Sequence, residues 1–134
     1  MLIHVEDLYP ADAAIDWGRF QQLAVSVDEV RANFARYGLL DDQVHFLEGW
    51  FSETLPAAPV DRLAVLRLDG DMYESTWDGL TYLHPKVSRG GYVIIDDYAL
   101  EACRRAVDEY RRQEGIVDSI ERIDGSAVFW RRSG

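Results

Sequence analysis

A chain of 134 residues that is 48% hydrophobic has enough material for one folded domain with its own core, and too little for two. Its net charge of −10 argues against nucleic acid and anionic membrane surfaces as partners, because both demand basic patches. The single cysteine, Cys103, excludes an internal disulfide framework, and no apolar run approaches the roughly 18 residues of a membrane span or forms a leader, so the expected compartment is the cytoplasm.

The first twenty residues read as a short apolar piece, Leu2-Ile3-His4-Val5, followed by an acidic loop containing Pro10. Ser26-Val27-Asp28-Glu29 has the form of a capping box, in which the hydroxyl and the carboxylate satisfy free backbone donors at a helix start. Val27, Val30, Phe34 and Tyr37 follow at helical spacing, and Gly38 stands where the helix should end. Residues 44–50 read as a strand, with Pro56 and Pro59 marking the loop after it. Leu63–Leu68 is a nearly continuous apolar run that stops at Asp69-Gly70-Asp71, the pattern of a strand buried on both faces. A helix is expected through Trp77, Leu80 and Leu83 up to Pro85. Gly90-Gly91 then turns the chain into a second buried strand, Tyr92-Val93-Ile94-Ile95, which ends at Asp96-Asp97. Residues 100–114 are helical in pattern and stop at Gly115; Cys103, Ala106, Val107 and Tyr110 share one face, so the thiol is expected to be packed and unreactive. Strand-like runs at 119–123 and 127–130 flank Asp124-Gly125, a hairpin turn signal. Strand, helix, strand, helix and hairpin predict an α/β fold with a parallel sheet, in a single domain over residues 1–134.

Ligands of open parallel sheets bind at the carboxyl ends of the strands. Asp69 and the Asp96-Asp97 pair each follow an apolar strand directly, and one intervening helix makes those strands neighbours or near neighbours. The three carboxylates should therefore converge, and a hard divalent cation such as Mg²⁺ relieves their repulsion. Singly, each acidic element also reads as a helix cap or a turn; their joint occurrence at equivalent strand ends is what points to metal. No second residue singles out a histidine as a base. His84 precedes Pro85 at a helix end, where the helix dipole accounts for it; His45 lies in the expected strand and His4 near the start. Arg104, Arg105, Arg111 and Arg112 alternate with Asp108 and Glu109, as on a solvated helix surface.

The segments Leu66-Arg67-Leu68-Asp69-Gly70-Asp71-Met72-Tyr73-Glu74-Ser75-Thr76 and Gly90-Gly91-Tyr92-Val93-Ile94-Ile95-Asp96-Asp97-Tyr98 resemble the macrocin O-methyltransferase family, enzymes that methylate deoxysugar hydroxyls on macrolides and related antibiotics. Tyr37-Gly38-Leu39-Leu40-Asp41-Asp42-Gln43-Val44, Gly49-Trp50-Phe51, Thr54-Leu55-Pro56 and Trp130-Arg131-Arg132 extend the likeness over nearly the whole chain. The resemblance implies a class I methyltransferase (Rossmann-like) fold, S-adenosylmethionine as methyl donor and Mg²⁺ as required metal. By position it implies Asp69, Asp96 and Asp97 as metal ligands, and Gly49, Trp50 and Phe51 beside the adenosine, where an aromatic plane suits adenine. The implied metal binds adjacent sugar hydroxyls, lowers the pKa of the reacting one and fixes it in line with the methyl sulfonium, with Asp69 as the candidate proton acceptor. Tyr73 and Tyr98 flank the metal position as candidate contacts to a glycosylated small molecule, core packing being the other reading of each.

The family's opening strand and glycine-rich turn have no counterpart before Ser26, and Glu6-Asp7-Leu8 only faintly echoes the region after its second strand. That alignment puts Ile3 where an acidic residue should hold the ribose. The expectation is therefore an N-terminally truncated methyltransferase sheet without its first strand, whose strand Leu63–Leu68 has an unpaired apolar edge. A homo-oligomer or a complementing N-terminal chain is the expected protein partner. The competing readings are an inactive binding or structural remnant of the same fold, a nucleotide-sugar glycosyltransferase and a phosphoacceptor receiver domain. The glycosyltransferase would use Asp69-Gly70-Asp71 as a metal-binding DxD and leave Asp96-Asp97 idle. In a receiver the acidic pair should precede the phosphorylated aspartate, whereas here it follows Asp69.

Overall fold

The computed structural model describes Asp12 and residues 25–134; the expected apolar piece Leu2 to Val5, with Ile3 and His4, and the Glu6-Asp7-Leu8 segment lie outside the described residues. Helix α1 (Val27–Arg36) begins at the expected capping box: the Glu29 N–H donates to Ser26 Oγ and the Ser26 N–H to the Glu29 carboxylate, both at 3.2 Å. Gly38, at φ 67°, follows the last turn in the left-handed conformation that favours glycine. None of the α1 residues is buried. Residues 44–48 form no strand, contrary to the expectation for 44–50, and His45 with them. An extended segment becomes a strand only against a ladder partner, and here Phe46 packs edge-on against Phe34 of α1 instead, at 5.6 Å between rings.

A short helix, α2 (Phe51–Thr54), runs into a 3₁₀ turn at Leu55–Ala57, and both pack against the helix that follows the first strand. Strand β1 (Leu63–Leu68) leads through Asp69-Gly70-Asp71 into that helix, α3 (Tyr73–Leu83). The first turn of α3 has no capping side chain from its own N-cap, Met72. Its free donors are met from far away: the buried Asp12 carboxylate accepts the N–H of Tyr73 at 2.7 Å and of Glu74 at 3.3 Å. A 3₁₀ turn at His84–Lys86 closes α3 and opens strand β2 (Val87–Ile95). Helix α4 (Glu101–Gln113) and the strands β3 (Glu121–Arg122) and β4 (Val128–Arg131) complete the order. The hairpin turn is an Asx turn, with the Asp124 carboxylate accepting the N–H groups of Ser126 and Ala127 at 2.8 Å each.

The sheet order is β1-β2-β4-β3. β1 and β2 are parallel neighbours, as the crossover argument requires; β4 runs antiparallel to both β2 and β3, so the sheet is mixed rather than all parallel. Gly90 and Gly91 lie inside β2 rather than before it, where the register slips by a bulge between Leu63 and Val65. A Cβ at Gly91 would sit 2.7 Å from the Ala64 carbonyl oxygen, so only glycine lets the two backbones approach this closely.

The core lies between one sheet face and the two long helices: Leu66, Leu68, Val93, Ile95, Val128 and Trp130 meet Leu80 of α3 and Cys103, Val107 and Tyr110 of α4. The other face carries Val65, Arg67, Tyr92, Ile94 and Phe129. Val65 is 51% exposed and Tyr92 42%. The expectation that β1 and β2 are buried on both faces is thus corrected, because among the described residues the helices packed on the sheet cover one face only. β1 is the edge strand of the described sheet, in line with the expected unpaired edge. No helix among the described residues is long and apolar enough to cross a membrane.

Candidate metal and methyl-transfer site

The parallel ladder sets Leu68 opposite Ile95, so Asp69 and Asp96 leave adjacent strands at the same level. A further backbone bond, Asp96 N–H to the Leu68 carbonyl at 2.9 Å, extends the ladder beyond the strand ends. Asp69, Asp96 and Asp97 each offer one carboxylate oxygen, all within 4.8 Å of one another. A hard ion such as Mg²⁺ would take an all-oxygen donor set of this kind, held by Asp69, Asp96 and Asp97. Asp69 is exposed, and Asp96 and Asp97 are half-buried.

The electrostatics show what the bare trio costs. The Asp97 carboxyl is pushed up to about 6, first by burial and then by the charges of Asp71 and Asp69. Its Oδ2 is buried with no hydrogen-bond partner, an acceptor left open. Arg67 offsets part of the charge: its Nη2 lies 2.9 Å from Asp96 Oδ2 and 3.3 Å from Asp69 Oδ2. Asp71 is held at φ 49°, a left-handed conformation uncommon for a residue with a side chain, and its charge is the one that raises the Asp97 pKa most.

Gly49, at φ 140°, and the following Trp50 and Phe51 open α2. Trp50 is 41% and Phe51 37% exposed, so neither ring is used up by the core. The two tyrosines differ. Tyr73 is buried, stacked on Trp77 with centroids 5.9 Å apart, and donates its hydroxyl to Glu109 at 2.7 Å. Tyr98 is half-buried directly after the trio and donates to Asp108 at 2.8 Å; burial first, then that carboxylate, push its pKa up to about 12.

Asp69, Asp96 and Asp97 thus converge as the sequence predicts. The macrocin-O-methyltransferase (TylF) family profile matches residues 3–132. The chain belongs to the macrocin O-methyltransferase family. It is 65% identical over 111 residues to an 8-demethyl-8-(2,3-dimethoxy-alpha-L-rhamnosyl)-tetracenomycin-C 4'-O-methyltransferase of Streptomyces olivaceus, covering 83% of this chain and 42% of that enzyme. It is 57% identical to the demethyldecarbamoylnovobiocin O-methyltransferase of Streptomyces niveus, covering 96% of this chain and 50% of the relative. With the mycinamicin III 3''-O-methyltransferase of Micromonospora griseorubida the identity is 53%, covering 96% and 52% respectively. The chain therefore spans about half the length of these relatives. The solved structure of the O-methyltransferase NovP superposes with a TM-score of 0.93 at 56% identity, over 96% of this chain and 54% of that one. Calicheamicin methyltransferase CalS11 shares the fold at 18% identity and a TM-score of 0.58, over 90% of this chain and 55% of that one.

Within this macrocin O-methyltransferase framework, two neighbours of the trio escaped the sequence reading. Arg67 reads there as an interruption of an apolar strand, and only the ladder shows it beside Asp96. Asp71 reads there as half of a turn or of a metal-binding DxD, and its influence on Asp97 across the strand ends is what the sequence did not show. Two expectations outside the site are corrected. His84 is not a charged residue at a helix dipole: burial above all, with Arg132 adding to it, lowers its pKa to about 4, so the ring is neutral and packs against Tyr110 and Trp130. Arg111 is not wholly solvated, since its guanidinium lies 4.8 Å over the Trp130 ring and donates to the Asp118 carbonyl. Cys103 is buried, and burial raises its thiol to about 11, which fits the expected unreactive cysteine.

Proposed function

We propose that this chain carries the metal half of an S-adenosylmethionine-dependent, Mg²⁺-dependent O-methyltransferase acting on a sugar hydroxyl of a glycosylated, macrolide-like antibiotic. The observation that carries this reading is the convergence of Asp69, Asp96 and Asp97 carboxylate oxygens within 4.8 Å, with one buried Asp97 oxygen left without a hydrogen-bond partner, in a member of the macrocin O-methyltransferase family. The donor chemistry fits Mg²⁺, being all carboxylate oxygen with room for further ligands on the exposed side of Asp69. Relatives named as methyltransferases of rhamnosyl-tetracenomycin, novobiocin and mycinamicin precursors support an antibiotic acceptor.

In this reading Asp69, Asp96 and Asp97 hold the ion, and Trp50 and Phe51, presented by the turn at Gly49, flank the adenosine. When bound, Mg²⁺ acidifies the sugar hydroxyl it holds, and S-adenosylmethionine supplies the electrophilic methyl. Asp69, the most exposed of the three, takes up the hydroxyl proton. Tyr98, beside Asp97 and less buried than Tyr73, is the candidate contact to the acceptor sugar; the hydroxyls of both are engaged, by Asp108 and Glu109 respectively. The convergence of Asp96 and Asp97 on Asp69 speaks for this reading over a DxD glycosyltransferase, in which the pair would be idle.

Calorimetric titration with Mg²⁺, with and without S-adenosylmethionine, tests it. Asp97→Asn is expected to lower ion affinity by at least about tenfold, since it removes a charged ligand from a half-buried position. Equal ion affinity in the wild type and Asp97→Asn would remove the metal site. Ion binding without any binding of S-adenosylmethionine would leave a metal-binding remnant of the fold.

A further inference from the structure

Two of the three aspartates, Asp69 and Asp96, are already engaged by a cation of the chain's own. Arg67 sits on the open face of β1, two residues before Asp69, where the strand's alternation points its side chain away from the Leu66 and Leu68 core. From there it forks onto Asp96, Nε to Oδ1 at 3.3 Å and Nη2 to Oδ2 at 2.9 Å, and the same Nη2 reaches Asp69 Oδ2 at 3.3 Å. Both oxygens of Asp96 are therefore engaged, while Asp97 Oδ2 has no partner. The Arg67 side chain is 57% exposed, so it is held largely by these ion pairs and can leave them for solvent.

We propose that Arg67 is a displaceable counter-ion: it bridges Asp69 and Asp96 in the metal-free site and must swing out before all three carboxylates can close on a divalent cation. This rests on the metal reading above. The physical reason is competition for the same lone pairs. A Mg²⁺ about 2 Å from an Asp96 oxygen and a guanidinium nitrogen on the same carboxylate would place three positive charges within roughly 5 Å. The metal, with twice the charge and a rigid demand for oxygen, displaces the arginine, which returns to solvent at little cost because it is exposed. Ion binding is then an exchange of cations rather than a simple addition. Arg67 both lowers the repulsion of the metal-free trio and weakens the apparent affinity for the ion, which makes it a positioning residue rather than a ligand.

The test is calorimetric titration of the full chain with Mn²⁺ and Mg²⁺, beside thermal melts in chelator and in saturating ion, for the wild type, Arg67→Met, Arg67→Lys and Asp97→Asn. Arg67→Met is expected to bind the ion about three- to tenfold more tightly, to melt lower than the wild type in chelator, and to gain more on adding the ion. Lysine keeps a charge but cannot fork, so Arg67→Lys should fall between the two, and it carries the test if the methionine variant fails to fold. An unchanged or weaker affinity in both arginine variants, with binding lost in Asp97→Asn, would overturn the exchange and leave the metal site standing. No ion binding by the wild type or by either arginine variant at millimolar ion would overturn both. A merely structural arginine would lower both melts equally and leave affinity unmoved.

Discussion

Burial moves Asp97 and His84 in opposite directions, because it disfavours whichever form is charged. For His84 the folded value of about 4 lies below the ordinary 6.5, so folding favours the neutral ring. Its contribution to stability is complete above pH 6.5 and is lost as the pH falls from there towards 4. Urea melts at pH 7 and pH 5 should show a loss of about 2 kcal/mol from this group, absent in His84→Gln. Equal losses in both proteins would show that other groups carry the acid sensitivity. At this scale the sequence was legible where a residue's placement follows from its position after an apolar run, as for the convergence of the three aspartates. It was illegible where the meaning depends on a neighbour far along the chain. Nothing near His84 in sequence announces Tyr110 and Trp130, and nothing near Arg67 announces Asp96.

Among the elements, α3 shows most clearly how local and distant signals divide the work. Its body was readable from Trp77, Leu80 and Leu83, but its start is fixed by Asp12, 61 residues before the Tyr73 N–H it accepts. Asp12→Ala is expected to cost about 1–2 kcal/mol in a urea melt, and Asp12→Asn less, because one acceptor oxygen survives. A cost below a few tenths of a kcal/mol for alanine would mean that water replaces the cap. The capping box at Ser26 and the Asx turn at Asp124 were legible because each closes within a few residues. The expected strand at 44–50 failed for the converse reason: its apolar alternation says that a segment can be extended, and a ladder partner decides whether it is a strand. The glycine pair was misplaced on the same ground, since Gly91 marks a close approach to Ala64 on another strand rather than a turn.

In the whole molecule, the α/β class and the adjacency of β1 and β2 followed from element order and crossover geometry, whereas the mixed sheet did not, because a hairpin carries no statement of which strand it joins. Apolar runs also overstated burial. Val65, Tyr92, Ile94 and Phe129 form a face that the helices packed on the sheet leave open among the described residues, and it adjoins the edge of β1. Such a face favours association despite a net charge of −10. Val65→Lys is expected to shift sedimentation profiles at high protein concentration towards the smaller species, while an unchanged profile would show that this face is not what associates. The position of the acidic trio has a mechanical side as well. Asp69 hangs from β1, an edge strand of the described sheet, and Asp96 and Asp97 from β2, with the Asp96 N–H bonded to the Leu68 carbonyl between them. Peeling β1 away from β2 would tear the site in two. An ion held by all three would therefore act as a clasp on the seam, adding about 2.7 kcal/mol of resistance to that opening at a hundredfold excess over its dissociation constant. The same atoms that would orient a sugar would then fasten an edge strand of the described sheet to its neighbour.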